Sequence, residues 1–181
     1  MSRFSRYAGK RILRKRFKVL TRDKCVQNFD TAESAVILFD TALSGAFSNV
    51  NKFSKYLAKN GISTKVFGLV WQKEKPLNDM LRWKKFNYIS RKDISWYGRP
   101  KGEISKKYFE LVPDILFVIN FEDKLPMDFL TYLIRARFKV GCYTENPNDL
   151  DLMIKLNEED CRVIYLIDQL RHYIKLLNPI N

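Results

Sequence analysis

The stretch Pro113 to Asn120, PDILFVIN, restricts the fold more than any other part of the chain. Five consecutive apolar residues, Ile115 to Ile119, stand between Asp114 and Asn120. A run so short, β-branched and uninterrupted suits a strand buried on both faces, as in a parallel sheet covered by helices on each side. Ala35 to Asp40, AVILFD, has the same form and also ends on a polar residue. The two read as central strands of one α/β sheet.

The segments around them fit that sheet. After the Ser44-Gly45 turn, Phe47, Val50, Phe53 and Leu57 recur at helical spacing with Lys52, Lys55 and Lys59 facing away, and Asn60-Gly61 ends the helix. Ser63 to Trp71 is the next strand, which makes a βαβ unit and commits the sheet to being parallel. Phe86 to Ile89 reads as a short edge strand, with Ser90 capping a turn, and Ser95 to Pro100 as a compact aromatic loop. A short helix near Glu103 to Leu111 precedes the central strand, and Pro126 opens another with apolar positions Phe129, Leu130, Leu133 and Ile134. Phe138 to Tyr143 is a strand in which Gly141 marks a close backbone approach, and Asp151 to Leu156 is the last strand. Asn157 is expected to cap a long helix through Val163, Ile164, Ile167, Leu170, Ile174 and Leu177, with Glu158, Glu159 and Asp160 at its positive end.

The expected architecture is therefore a Rossmann-like three-layer α/β/α sandwich with a mostly parallel sheet, residues 25–181 forming one domain behind a basic helical arm, residues 1–24. At 181 residues, 46% hydrophobic and 14% aromatic, the chain can bury such a core. No run of about 18 apolar residues proposes a membrane span. The N-terminus lacks the apolar segment and small-residue cleavage site of a secretory signal, so a cytoplasmic location is expected.

Charge says more about partners than about fold. The net +13 is unevenly placed. Residues 1–24 hold ten Lys and Arg against Asp23, residues 71–107 hold eleven against four acids, and residues 108–181 reverse the sign with eight against twelve. In the leading helix, Ser2 to Leu20, the apolar Ile12, Leu13, Phe17 and Leu20 gather on one side and Lys10, Arg11, Arg14 and Lys18 on the other. Arg3, Arg6 and Lys15 add to its charge. In the second segment cations alternate with rings: Arg82, Trp83, Lys84, Lys85, Phe86, then Arg91, Lys92, Trp96, Tyr97, Arg99. Such interleaving holds single-stranded nucleic acid by stacking and phosphate contact. The same pattern also arises when rings turn inward and the charges solvate the outside.

Signatures of chemistry are absent. No G-x-G-x-x-G follows the first strand, and no G-x-x-x-x-G-K-[ST], H-E-x-x-H or G-x-S-x-G occurs. Cys25, Cys142 and Cys161 match neither a zinc spacing nor a disulfide framework, and the single His172 lies mid-helix beside Arg171. Neither a metal nor a cofactor is expected. One constellation survives on geometry, because open parallel sheets bind ligands at the carboxyl ends of their strands. There the chain places Asp40, Ser44, Gly45, Asn120, Glu122 and Thr144, whose structural alternative is strand termination and helix capping.

ISWYGRPK at 94–101, RFKVGCYTE at 137–145, DLMI at 151–154 and YLIDQLRHYI at 165–174 together resemble a family of small basic proteins of Bacteroidetes-type bacteria whose domain has no assigned function. The resemblance spans nearly the whole chain, the basic N-terminal helix included. It implies boundaries, and brings no activity, cofactor or site residue with it.

The expectation from these observations is a non-enzymatic RNA-binding protein, ribosome-associated, whose N-terminal helix and residues 71–107 meet phosphates. Two alternatives stand beside it: a nucleotide-binding enzyme or sensor using the sheet-edge crevice, and a peripheral membrane or assembly subunit anchored by the N-terminal helix.

Overall fold

A computed structural model describes residues 3–17, 22–71, 83–144 and 149–178. Lys18, Leu20 and Arg82, all named above, lie outside the described residues. The chain forms six strands: β1 (Ser34–Asp40), β2 (Ser63–Val70), β3 (Asn87–Ser90), β4 (Ile115–Ile119), β5 (Phe138–Cys142) and β6 (Leu152–Ile154). They make one sheet in the order β3-β2-β1-β4-β5-β6, every neighbouring pair parallel.

All five residues of β4 are buried, as are the last six of β1. The pleat sends Ala35, Ile37, Phe39, Ile115, Phe117 and Ile119 to one face, where they meet α2 (Ala46–Lys59) and α5 (Val163–Leu176). Val36, Leu38, Leu116 and Val118 go to the other, against α3 (Gly102–Phe109), through Tyr108, and α4 (Leu125–Leu133). Burial on both faces is why these strands read as unbroken apolar runs. Gly141 packs as expected: a Cβ there would stand 2.8 Å from the Val118 carbonyl oxygen on β4.

The leading helix, α1 (Arg3–Phe17), is a further layer laid on the outside of α4. Leu13, only 3% exposed, packs with Leu125, Phe129 and Tyr132, with Ile12 beside it. Among the described side chains of α1, the buried positions are Ser5, Gly9 and Leu13. Gly9 sets the approach, since a Cβ at that position would stand 2.2 Å from the Tyr97 carbonyl oxygen and 2.4 Å from Leu125 Cδ2. One buried leucine contributes about 1.5–3 kcal/mol, and its place against α4 depends on the close approach at Gly9. Gly9→Ala should therefore undock α1, although alanine favours helix by about 1 kcal/mol. Limited proteolysis checks this: cleavage within residues 3–17 is expected to accelerate while the rest of the chain stays protected.

The C-terminal segment departs from its sequence pattern. Asn157 does not cap α5. Its carbonyl accepts from Asp160 N at 3.0 Å, closing the short 3-10 turn Glu158–Asp160, and Arg162 is extended before α5 begins at Val163. The acidic trio thus lies outside the first turn of α5. β6 is also shorter than DLMIKL suggests, because only Leu152 to Ile154 find partners on β5.

Candidate functional site

The strand order reverses between β1 and β4, so the crevice of such a sheet lies above Asp40 and Asn120. Asp40 is fully buried; one carboxylate oxygen accepts from Ala42 N at 3.0 Å and the other takes the Lys124 ammonium. Lys124 Nζ is also 3.3 Å from Glu122 Oε2. The Asn120 amide donates to the Glu122 carbonyl and accepts from Glu122 N at 3.4 Å. Asp40, Asn120 and Glu122 are thus gathered at one place as the sequence suggested, but around a lysine it did not single out. Burial pulls the Lys124 pKa down, and the hydrogen bond and charge of Asp40 with those of Glu122 outweigh it, holding the group above the usual lysine value. The Asp40 carboxylate is engaged in a strut across the switch point.

The remaining crevice residues are spread out. Ser44 and Gly45 sit in the turn before α2, lining a groove of about 430 Å³ with Thr41, Ser48 and Trp83. Gly45 precedes α2 without a side-chain cap, and Thr41 Oγ1 donates to the Leu69 carbonyl at 2.9 Å. Thr144 lies past the end of β5, half-buried. Among the described residues no group of three His, Cys, Asp or Glu could hold a metal ion, and no helix is long and apolar enough to cross a membrane. Burial pushes the Cys142 thiol up to about 11, so it is no nucleophile at neutral pH.

The cations divide into two places. Lys84 and Lys85 are exposed on the α2 side of the sheet, where Lys85 shares a groove with Lys55 and Lys65 near the beginnings of β2 and β3. Arg91, Lys92, Trp96, Tyr97 and Arg99 follow the end of β3; Trp96 and Tyr97 reach α1, while Lys92 lines a groove with Ile104 and Lys107 of α3. The joint is aromatic: Phe4 of α1 stacks on Trp96 with ring centroids 6.2 Å apart and planes 3° from parallel. Tyr97 is half-buried, edge-on to Phe129 at 6.4 Å. Arg91 lies over the Trp71 ring at 5.7 Å, and the Lys101 ammonium donates to the Lys92 carbonyl at 2.9 Å.

With its inner stripe committed to α4, α1 turns Arg3, Arg6, Arg11, Arg14 and Lys15 to solvent. Tyr7, Lys10, Arg11, Arg14 and Lys15 line a hollow of about 360 Å³. Lys10 is half-buried and bridges to Asp123 Oδ2 at 2.8 Å, while the Arg6 guanidinium donates to the Asp123 carbonyl at 3.3 Å. The start of α1 and the Trp96 loop of the second basic segment, remote in sequence, therefore meet, while Lys85 lies with Lys55 and Lys65 elsewhere. Phe4, the contact joining them, carries no signal in sequence beyond being an aromatic residue among arginines.

Under α1, burial first and the neighbouring Asp123 second raise the Asp128 carboxyl to about 7, against the opposing pull of Lys10. The unfolded chain releases this proton near 3.8. Folding thus carries no penalty from Asp128 below that pH; the penalty grows as pH rises toward 7 and then levels. Asp128→Asn, which keeps a donor for Asp123, should raise stability at pH 8 by about 2–4 kcal/mol and leave it nearly unchanged at pH 4. Urea melts at the two pH values measure the difference.

The all-parallel sheet, the reversal between β1 and β4, and helices on both faces define a doubly wound, Rossmann-like α/β domain. Its switch point is closed by an ion pair, and part of its positive charge is carried on an added helix. The chain belongs to the family of unknown function DUF6913, whose model matches residues 6–177 and so takes in most of α1. No curated protein matches the chain.

Proposed function

We propose that the protein is a non-enzymatic RNA-binding protein that meets its target through the surface formed by α1 and residues 91–101. Ribosomal RNA is the first target to test. The observation that carries this reading is the meeting of α1 with the Trp96 loop: Phe4 stacks on Trp96, and Arg3, Arg6, Arg11, Arg14 and Lys15 extend from that point along solvent-facing α1. Solvent-facing cations beside exposed rings suit a polyanion that also has flat bases to offer. The crevice supports a small-molecule reading less well, because Lys124 takes the Asp40 carboxylate that would bind a ligand. A lipid surface is served less well too, since an interfacial helix needs a free aliphatic face and Leu13 is buried against α4.

Binding should be strongly salt-dependent, with log K falling against log salt by about 0.7 per phosphate neutralised on a single strand. The triple variant Arg11→Glu, Arg14→Glu, Lys15→Glu is expected to reduce that slope by about 2 and to weaken binding whatever the RNA sequence. Filter binding across a salt series reads both quantities. Affinity indifferent to salt would remove the proposal, and an unaltered slope in the variant would take the contact away from α1.

A further inference from the structure

We infer that Phe4 and Trp96 form a stacking platform for an unpaired nucleobase, which makes the substrate RNA with single-stranded nucleotides and not a continuous duplex. This rests on the RNA-binding reading and adds to it what is read. Phe4 is 72% exposed and Trp96 is 61% exposed, although each ring would gain by burial. They are parallel to within 3° across two elements of the fold, so a base laid on the outer face of either ring would extend one stack.

Both rings are held in place from behind. Trp96 rides on a tight loop closed by Ser95 N to the Arg99 carbonyl at 2.7 Å, Gly98 N to the Ser95 carbonyl at 3.0 Å and Arg99 N to Ser95 Oγ at 3.0 Å. Its indole is braced edge-on by Tyr97 at 5.3 Å, which in turn stands edge-on to Phe129 of α4. Phe4 is fixed by α1, whose Gly9 sits against the Tyr97 carbonyl. Little ordering is left for a ligand to impose. Arg3 and Arg6 flank Phe4 on α1, and Arg11 lies about 10 Å further along the helix. A base stacked on the platform therefore has cations for the phosphates on either side. Bases inside a duplex are already stacked on each other and have no free face to give, whereas an unpaired base has one.

The test uses the full-length chain and three probes labelled for fluorescence anisotropy: a short oligouridine, a ribose-phosphate oligomer of the same length without bases, and a blunt RNA duplex. Oligouridine should bind more tightly than the abasic oligomer. Trp96→Ala and Phe4→Ala should each weaken oligouridine about 5- to 100-fold while leaving the abasic oligomer unchanged, and Trp96→Phe should restore most of the loss. Both side chains are exposed, and matching thermal melts confirm that the variants fold. Equal affinity for oligouridine and the abasic oligomer, or a Trp96→Ala variant that binds oligouridine normally, would overturn the platform while the phosphate-binding reading stands. Binding to phosphatidylglycerol vesicles with no binding to any of the three probes would overturn both.

Discussion

Asp40→Ala is expected to destabilise the domain by about 3–5 kcal/mol, the usual cost of removing one partner from a buried ion pair. Asp40 has no solvent exposure and the Lys124 side chain only 16%, so among the described residues the ammonium left behind would keep Glu122, itself 70% exposed, as its carboxylate partner. The Ala42 N–H would also lose its acceptor. Replacing both partners, Asp40→Leu with Lys124→Met, should recover much of the loss, because apolar groups of similar size need no solvation. Denaturant melts of the single and double variants make the comparison. Unchanged or increased stability in Asp40→Ala would show that the carboxylate is kept for a ligand and not for the strut, which would revive the crevice as a binding site.

Lys139→Ala should cost a similar amount, about 3–5 kcal/mol, at the other end of the sheet. Lys139 is fully buried on β5, where its ammonium donates to the Thr131 carbonyl at 2.6 Å and to Asp149. Its own backbone N donates to Asp151 Oδ2 at 2.9 Å, and both oxygens of that carboxylate lie 2.6 Å from Arg22 Nη2. This network ties Arg22, the β5-β6 connection and α4 together. Lys139→Met, with a similar stem and no charge, should be far milder.

The same lysine sets a pH signature. Burial lowers its pKa to about 8 from 10.5, in spite of Asp149. Below about pH 8 both folded and unfolded chains hold the proton, and folding must bury the ammonium. Between about 8 and 10.5 the folded chain releases a proton that the unfolded chain keeps, so the contribution of Lys139 to stability rises with pH over that window. Lys139→Met should abolish the rise. A rise that survives the substitution would assign it to another group.

The sheet was legible because a doubly covered parallel strand requires its apolar residues to be consecutive, and AVILFD and DILFVI meet that requirement locally. The edge strand near Asn87, the turn at Ser90 and the Ser95–Pro100 loop were legible from local residue types too, although the pairing of Ser90 with Asp93 was not. Lys139 was not, since a lysine inside a strand pattern points to solvent unless something distant neutralises it. Lys124 was invisible as well: it lies 84 positions from Asp40, in a short polar stretch with no periodicity. The helix at Asn157 misled because an acidic run after a capping residue is a good N-terminal signal, and the 3-10 turn that displaced it takes the same residues.

By itself the sequence determined which segments must be buried on two faces, where cations accumulate, and that the common phosphate, zinc and acyl-transfer motifs are missing. Those properties reside in consecutive residues or in composition. Tertiary structure alone decided that α1 lies on α4 through Gly9 and Leu13, that Lys124 closes the switch point, and that Phe4 meets Trp96. Each of these joins residues on different elements, and strand order together with the close approach allowed by a glycine brings them within reach. Hydrophobic burial is read from neighbours along the chain; ion pairs and ring stacks depend on which elements the sheet has made adjacent.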